Sequence, residues 1–164
     1  MTCIVGLVDG QSIIMGADSA GVNGLSISIR KDVKVFPIGE FLIGFTGSFR
    51  MGQLLHYKLE LPSLSDGGEL HCYMATLFID AVRKCLKDGG YAEKKDDVES
   101  AGTFLVGIRG RLFIIHADYQ VEEKQDGFNA CGSGEDVALG VLFATSSLQP
   151  KQREIGRASC RERV

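Results

Sequence analysis

Three residues near the start of the chain are of types that together support hydrolytic chemistry. Thr2 follows Met1 directly, and removal of the methionine, which is usual before a small residue, would leave an N-terminal threonine. Such a residue carries a hydroxyl nucleophile and a free amine that can act as its general base. An interval of 16 residues separates Thr2 from Asp18, and the same interval separates Asp18 from Lys34. We therefore treat Thr2 as the candidate nucleophile.

Lys34 lies in a segment, positions 32–35, where polar and hydrophobic residues alternate. In a strand this alternation places Lys34 on the face opposite its two valine neighbours. An inward-pointing lysine is costly unless it is paired, and Asp18 is the candidate partner. A buried ammonium near Thr2 would lower the pKa of both the hydroxyl and the amine. Taken singly, Asp18 is compatible with a turn and Lys34 with a surface position. The three residues together indicate a catalytic site far more specifically than any one of them.

The composition is that of one ordinary globular domain. The chain has 164 residues, of which 45% are apolar and 24% charged. The formal net charge is −3, and no basic block is interleaved with aromatic residues, so nucleic-acid binding is not indicated. Apolar runs are of strand length, and the N-terminus has no signal-peptide pattern. We expect a cytoplasmic protein that does not contact membranes.

The cysteines and histidines do not form a metal-binding pattern. The five cysteines form no CxxC pair, and the three histidines show no ligand spacing. We therefore expect reduced, mostly buried thiols, no metal and no cofactor. Cys3 would be an alternative nucleophile, but alternation along the first strand directs it to the face opposite Thr2.

The residues with chemical potential lie in a β-rich first part of the chain. Hairpin and turn signals predict strands at residues 2–8, 12–17, 33–38 and 40–46. Ser48 is a plausible N-cap for a helix that runs to about Leu61. A broad apolar stripe at helical spacing predicts a second helix from Leu70 to Leu86.

The second part of the chain returns to strands and ends in a helix. The charged stretch from Glu93 to Glu99 is typical of a solvated loop. Strands are expected at 102–108 and 111–117, with another leading into residues 129–131. The Gly-Ser-Gly segment at 132–134 then opens a helix whose first turn is acidic. Helices between blocks of antiparallel strands predict an α+β fold of two sheets with helices outside them.

The last eleven residues, 154–164, are similar to the peptide encoded by one reading frame of a common sequencing-library adapter. A genuine basic tail is the alternative. On the adapter interpretation, residues 1–153 form a single domain that is truncated, and 154–164 is a non-native tail. We then expect exposed apolar sheet and helix faces, marginal stability and low or no activity, because the last helices and strands would be missing.

Four motifs in order carry a resemblance to a known family. The chain resembles the proteasome-type branch of the N-terminal nucleophile hydrolases, close to proteasome β subunits and HslV-type peptidases, over roughly residues 2–150. The matching motifs are Thr2, Gly16-Ala17-Asp18-Ser19, Val33-Lys34-Val35 and Gly132-Ser133-Gly134. The resemblance implies a four-layer αββα sandwich, incomplete at the C-terminus.

The resemblance also implies a role for each site residue. Thr2 would attack a peptide carbonyl, and its amine would accept the proton. Lys34, held by Asp18, would tune the nucleophile, while Ser133 would orient the amine. A backbone N–H at Gly47, or at Ser48, would form the oxyanion hole. The substrate-pocket candidates are Gly21, Asp32, Phe36 and Thr46.

The implied activity is that of a threonine endopeptidase acting on polypeptides. The family resemblance implies a ring-shaped homo-oligomer and an ATPase partner that feeds it unfolded substrate. Two alternatives stay open from the sequence: an amidase of the same fold that acts on a small amide, and a catalytically inactive structural subunit. An acidic Asp32 in the pocket would favour substrates with basic side chains.

Overall fold

The fold is described from a computed structural model covering residues 2–23, 26–64, 67–95, 98–148 and 153. The strands are β1 (Ile4–Asp9), β2 (Ser12–Ala17), β3 (Ala20–Asn23), β4 (Ser26–Ile29), β5 (Val35–Ile38), β6 (Phe41–Phe45), β7 (Glu93–Lys95), β8 (Val98–Ser100), β9 (Phe104–Ile108), β10 (Arg111–Ile115), β11 (Val121–Glu123) and β12 (Phe128–Cys131). The α-helices are α1 (Phe49–Lys58), α2 (Leu70–Tyr73), α3 (Ile79–Asp88) and α4 (Glu135–Ala144).

Two antiparallel sheets form the centre of the fold. The first sheet has the order β12-β1-β2, and the second has the order β11-β10-β9-β6-β5. The β3–β4 and β7–β8 pairs form separate two-stranded hairpins. A tight turn joins β1 to β2 at Gly10, whose φ of 61° suits glycine. The predicted first hairpin is therefore confirmed.

Hydrophobic residues fill three spaces between four layers. Ile4 and Leu105 belong to the cluster between the two sheets. A larger cluster joins the second sheet to α1 and α3, and it includes Phe78. A smaller cluster packs Val5 and other outward residues of β1 against Leu142 of α4. The helix-sheet-sheet-helix layering confirms the predicted αββα sandwich.

The two central helices follow the apolar patterns that predicted them. Ser48 caps α1 by accepting hydrogen bonds from two backbone N–H groups, as expected. α1 ends at Lys58 rather than at about Leu61, and its C-cap residue Leu59 already has an extended backbone. The second helix runs through α2 and α3, with a π-helical segment, Met74–Phe78, between them.

Some sequence-based boundaries were wrong, and each has a local reason. β5 begins at Val35, so Lys34 precedes the strand instead of lying within it. The stretch predicted as a loop from Glu93 contains the β7–β8 hairpin, in which Lys94 stands opposite Glu99. The loop prediction rested on the overall charge of the segment, which carries no information about strand pairing.

Two large apolar side chains of α4 are mostly exposed. Val137 is 73% exposed and Phe143 is 70% exposed. No helix in the described ranges is long and apolar enough to cross a membrane. Residues 154–164, including Cys160, lie outside the described residues, so the interpretation of that tail stays a prediction.

Candidate functional site

Antiparallel pairing gathers the candidate residues at one end of the first sheet. Ile4 pairs with Ala17 of β2 on one side and with Cys131 of β12 on the other. Thr2 lies just before β1, and the segments that follow β2 and β12 begin beside it. Asp18 and Ser133 are distant from Thr2 in the sequence, and the register of the paired strands brings them close to it.

Lys34 is the centre of the cluster. Its Nζ donates to Thr2 Oγ1 at 3.3 Å, to Asp18 Oδ2 at 2.7 Å and to the Ala20 carbonyl at 2.7 Å. All three ammonium hydrogens therefore have acceptors. Lys34 is 4% exposed, so its charge is held inside the protein. The ion pair with Asp18 is the one the sequence predicted.

Asp18 is fixed in place from both sides. Its Oδ1 accepts from the Cys3 backbone N–H at 2.7 Å, and its Oδ2 accepts from the Ala20 N–H at 3.0 Å. The Asp18 N–H donates to the Cys3 carbonyl at 3.3 Å. The carboxylate thus ties the residue after Thr2 to the start of β3, and it holds the lysine at the Thr2 hydroxyl.

Ser133 lies on the other side of Thr2. The Thr2 N–H donates to Ser133 Oγ at 3.0 Å, and Ser133 Oγ donates to the Thr2 carbonyl at 3.4 Å. The Gly134 N–H also donates to that carbonyl, at 3.3 Å. Thr2 is therefore bound through its nitrogen and its carbonyl, while its hydroxyl faces Lys34.

Gly132 is a site residue that the sequence motif contained but that we did not assign. Its φ is 102°, a conformation that favours glycine. A Cβ at this position would lie 2.4 Å from the Thr2 carbonyl oxygen, which is far inside van der Waals contact. The first glycine of the Gly132-Ser133-Gly134 motif allows Thr2 and Ser133 to approach each other. The glycine at the first position of the motif was the sequence signal for this close approach.

Gly47 lies at the turn between β6 and α1. Its φ is 76°, and space is open where a Cβ would be. Within the described part of the chain the Gly47 N–H makes no hydrogen bond. Ser48 accepts from the N–H groups of Arg50 and Met51, so its hydroxyl is used by the helix cap. The turn therefore offers an N–H at a helix N-terminus.

Thr46 links this turn to the strand network. Its Oγ1 donates to the Thr103 carbonyl at 3.0 Å, and the residue is 8% exposed. Its Cγ2 would lie 3.2 Å from a Cβ at Gly132. The side chain of Thr46 thus packs beside the Gly132 segment, with its hydroxyl committed to backbone.

A small cavity of about 20 Å³ lies between residues 32–33 and α1, and no residue of the Thr2 cluster lines it. The Phe49 ring, which lies 5.6 Å from Lys34 Nζ, forms part of its wall. The lining residues are Asp32, Val33, Phe45, Phe49, Gly52, Gln53, His56 and Tyr57. Of the substrate-pocket candidates, Asp32 therefore lies on the wall.

Phe36 and Gly21 are not part of the wall of this cavity. Phe36 is 2% exposed and stacks on His56 with ring centroids 4.2 Å apart. Gly21 lies in β3, where a Cβ would meet Arg30 Cδ at 2.7 Å. Asp32 accepts two hydrogen bonds from Arg30, so its charge is already paired. Arg30 is a residue that the sequence interpretation missed.

Other features of the described residues do not compete with this cluster. An open cleft of about 740 Å³ lies at the C-terminal ends of α1 and α3, and none of its lining residues belongs to the Thr2 cluster. No three metal-ligating side chains come together in the described ranges. Cys3 and Cys131 are buried, and burial raises the pKa of the Cys131 thiol.

Comparisons with solved structures identify relatives of the fold. BPH from Thiobacillus denitrificans in complex with epoxomicin aligns with a TM-score of 0.72 at 20% identity, covering 90% of this chain and 81% of that chain. Eukaryotic HslV from Trypanosoma brucei aligns with a TM-score of 0.63 at 18% identity, covering 95% and 87%. At such low identities the likeness establishes the fold only. No protein-family model matches the sequence, and no curated protein matches it.

Proposed function

Because the chain has the fold of HslV- and proteasome-type N-terminal nucleophile hydrolases, we propose that it is a threonine peptidase with Thr2 as nucleophile. The observation that carries the proposal is the contact of Lys34 Nζ with Thr2 Oγ1 at 3.3 Å, made by a buried lysine that Asp18 holds. A purely structural subunit has no physical need for a buried ammonium at that hydroxyl.

The proposed mechanism begins with removal of Met1, which converts the Thr2 N–H into an amine. The amine, directly or through a water, takes the hydroxyl proton as Oγ1 attacks the peptide carbonyl. It then gives that proton to the leaving amine as the C–N bond breaks, and water hydrolyses the resulting acyl-enzyme to release the second product. Lys34 stabilises the deprotonated oxygen electrostatically. Ser133 Oγ, 3.0 Å from the Thr2 nitrogen, orients the amine.

The proposed oxyanion hole is the Gly47 N–H. It lies at the N-terminus of α1, where backbone N–H groups and the helix dipole both favour negative charge. Gly47 has a positive φ, and the open space at its Cα leaves room for substrate.

We further propose that the chain works in the cytoplasm inside a homo-oligomeric ring that an ATPase partner supplies with polypeptide. Support comes from the shared fold and from the apolar residues exposed on α4, such as Val137 and Phe143. Exposed apolar surface of this kind is typical of faces that other subunits cover.

Hydrolysis of quenched fluorescent peptides tests the proposed activity. Wild-type protein lacking Met1 should cleave them, and Thr2→Ala should lower kcat/KM by at least ~10³-fold, because the nucleophile is lost. Thr2→Ser should retain part of the activity. Turnover of small amides without peptide cleavage would favour the amidase alternative. Absence of both activities, with Met1 retained, would favour a structural subunit.

A further inference from the structure

Thr46 lies between two parts of the proposed active site that belong to different elements. It follows the last residue of β6 and directly precedes Gly47, whose N–H is the proposed oxyanion hole. Thr46 was a candidate for the substrate pocket, yet it is only 8% exposed. Its side chain therefore offers little surface to a substrate, and both of its groups contact the protein instead.

The hydroxyl of Thr46 fixes the point where the chain leaves β6. The last paired residues of β6 and β9 are Phe45 and Phe104. Beyond them, the Thr46 N–H donates to the Thr103 carbonyl at 3.2 Å, and Thr46 Oγ1 donates to the same carbonyl at 3.0 Å. A carbonyl oxygen has two lone pairs, so it accepts both bonds together. The backbone and the side chain of Thr46 are thus both held against the start of β9.

The methyl group of Thr46 contacts the other part of the site. Its Cγ2 would lie 3.2 Å from a Cβ at Gly132, so it packs directly beside that glycine. Gly132 precedes Ser133, whose Oγ accepts from the Thr2 N–H at 3.0 Å. Because a β-branched side chain has few accessible χ1 rotamers, the hydrogen bond to Thr103 also fixes the direction of this methyl group.

We propose that Thr46 is a positioning residue, which holds the Gly47 N–H and the Ser133 hydroxyl in a fixed relation to Thr2. It rests on the proposed peptidase function. Groups that stabilise a transition state must be held within about 0.5 Å of the productive geometry. A glycine has wide backbone freedom, so the position of Gly47 depends on its neighbours. Ser48 is fixed on the helix side by its cap, and Thr46 is fixed on the sheet side by β9.

Thr46→Val tests the hydroxyl, because valine keeps the shape and the methyl group of threonine but cannot donate. We measure kcat and KM for a quenched fluorescent peptide, with Met1 removed from both proteins. We expect kcat to fall roughly tenfold with KM within about twofold, because a displaced Gly47 N–H weakens stabilisation of the transition state only. An unchanged kcat would overturn the role of the hydroxyl, and so would a raised KM alone, which would indicate contact with substrate.

Thr46→Ser tests the methyl group separately. Serine keeps the hydroxyl and removes the Cγ2 that packs beside Gly132. We expect kcat to fall roughly threefold in the wild-type background, and to change little further when Ser133→Ala is already present, because the methyl group acts through Ser133. If the effects of the two substitutions multiply, the methyl group does not position Ser133.

Thr145→Val is a matched control. Thr145 Oγ1 also donates to backbone carbonyls, to that of Val141 at 2.8 Å and to that of Leu142 at 3.4 Å. It lies at the C-terminal end of α4, whereas Ser133 precedes the N-terminal end. Thr145→Val should leave kcat and KM unchanged. An equal fall of kcat in Thr145→Val and Thr46→Val would show a general effect of losing a hydroxyl and would overturn the positioning role.

Each outcome bears differently on Thr46 and on the peptidase proposal. Peptide cleavage at the wild-type kcat in both Thr46 variants overturns the positioning role and leaves the peptidase in place. Absence of cleavage by wild type overturns both. If circular dichroism shows that Thr46→Val does not fold, a comparison of Thr46→Ala with Thr46→Ser isolates the hydroxyl. The kcat of Thr46→Ala should then be roughly tenfold below that of Thr46→Ser, and equal values would overturn the role of the hydroxyl.

Discussion

Lys34 is a charged side chain in a buried position, which is energetically costly. It is 4% exposed, yet each of its ammonium hydrogens has an oxygen acceptor within the protein. Such a group is tolerated in an interior only when it is fully paired. The same pairing puts a positive charge at the Thr2 hydroxyl, so the requirement for a stable fold and the proposed chemistry meet in one side chain.

Replacing Lys34 should damage both stability and activity. Lys34→Met leaves Asp18 buried without its ion-pair partner, which should cost about 3–5 kcal/mol of the free energy of unfolding. It should also lower peptidase activity by at least ~10²-fold, because the charge near the nucleophile is lost. Urea unfolding and peptide hydrolysis measure the two effects.

Ser133→Ala provides the contrast to Lys34→Met. Ser133 is exposed, so its loss should reduce activity while changing the free energy of unfolding by no more than about 1 kcal/mol. Wild-type stability in Lys34→Met would contradict the buried ion pair.

The sequence predicted candidate site residues where the spacing between residues and their chemical types pointed to the same site. Thr2, Asp18 and Lys34 were selected because an inward lysine needs a partner, and the structure brings the three together. Arg30 was not found, because its neighbours in sequence reveal nothing of the Phe49 ring, which comes from the first turn of α1. Contacts between separate elements leave no local pattern to read.

At the scale of elements, strand register positions the site. The start of β1 lies beside the ends of β2 and β12. Thr2 precedes β1, Asp18 follows β2, and Ser133 follows β12. The connection from β12 to α4 has the tightest geometry of these, because Gly132 passes against the Thr2 carbonyl. A larger residue at this position would collide with the Thr2 backbone.

Two glycines near α4 should respond oppositely to the same substitution. Gly132→Ala should cost about 2–4 kcal/mol of the free energy of unfolding, since its φ is 102° and the Cβ meets backbone. Gly140→Ala should instead stabilise by about 0.5–1 kcal/mol, because Gly140 is exposed inside a helix with open space at its Cα. Chemical denaturation measures both. A neutral Gly132→Ala would contradict the described turn.

Helices and strands were predictable where one hydrophobic periodicity continued over many residues, and they were less predictable in short segments. The apolar stripe from Leu70 to Leu86 became a helix as expected, although its π-helical segment has no sequence signal. The β3–β4 hairpin was not anticipated, since its two strands have only four residues each. Its stability comes from pairing across the hairpin, which a pattern of single strands does not encode.

At the scale of the whole molecule, ion pairs of arginine or lysine with carboxylates shape the response to pH. Hydrogen bonds from their basic partners hold the pKa of Asp32, Glu40, Asp88 and Glu123 below the usual values. Because these pKa values are lower in the folded state, the stability they contribute is present above the unfolded pKa values, near 4. It is lost as pH falls through the folded values.

The melting temperature should therefore be nearly constant above about pH 5 and fall progressively below pH 4. Since these pairs lie at or near the surface, added salt should weaken the dependence. Thermal unfolding followed by circular dichroism across this pH range measures the effect. A melting temperature that rises on acidification would contradict the proposed contribution of these carboxylates.

Assembly is the other property that belongs to the whole molecule. Val137 and Phe143 are largely exposed on α4, although the opposite face of that helix packs on β1. A helix that is apolar on both sides is usually covered on both. Analytical ultracentrifugation should detect species of several chains if the proposed ring forms.

The most direct test of the central claim is to locate a covalent adduct on Thr2. A peptide epoxyketone needs a hydroxyl and a free amine on the same residue to close its ring adduct, so it reports Met1 removal and nucleophile together. We predict that intact mass spectrometry and peptide mapping will show loss of Met1 and one adduct on Thr2, with little adduct in Lys34→Met. An unmodified chain that retains Met1, or an adduct on Cys3 instead, would contradict Thr2 as the nucleophile.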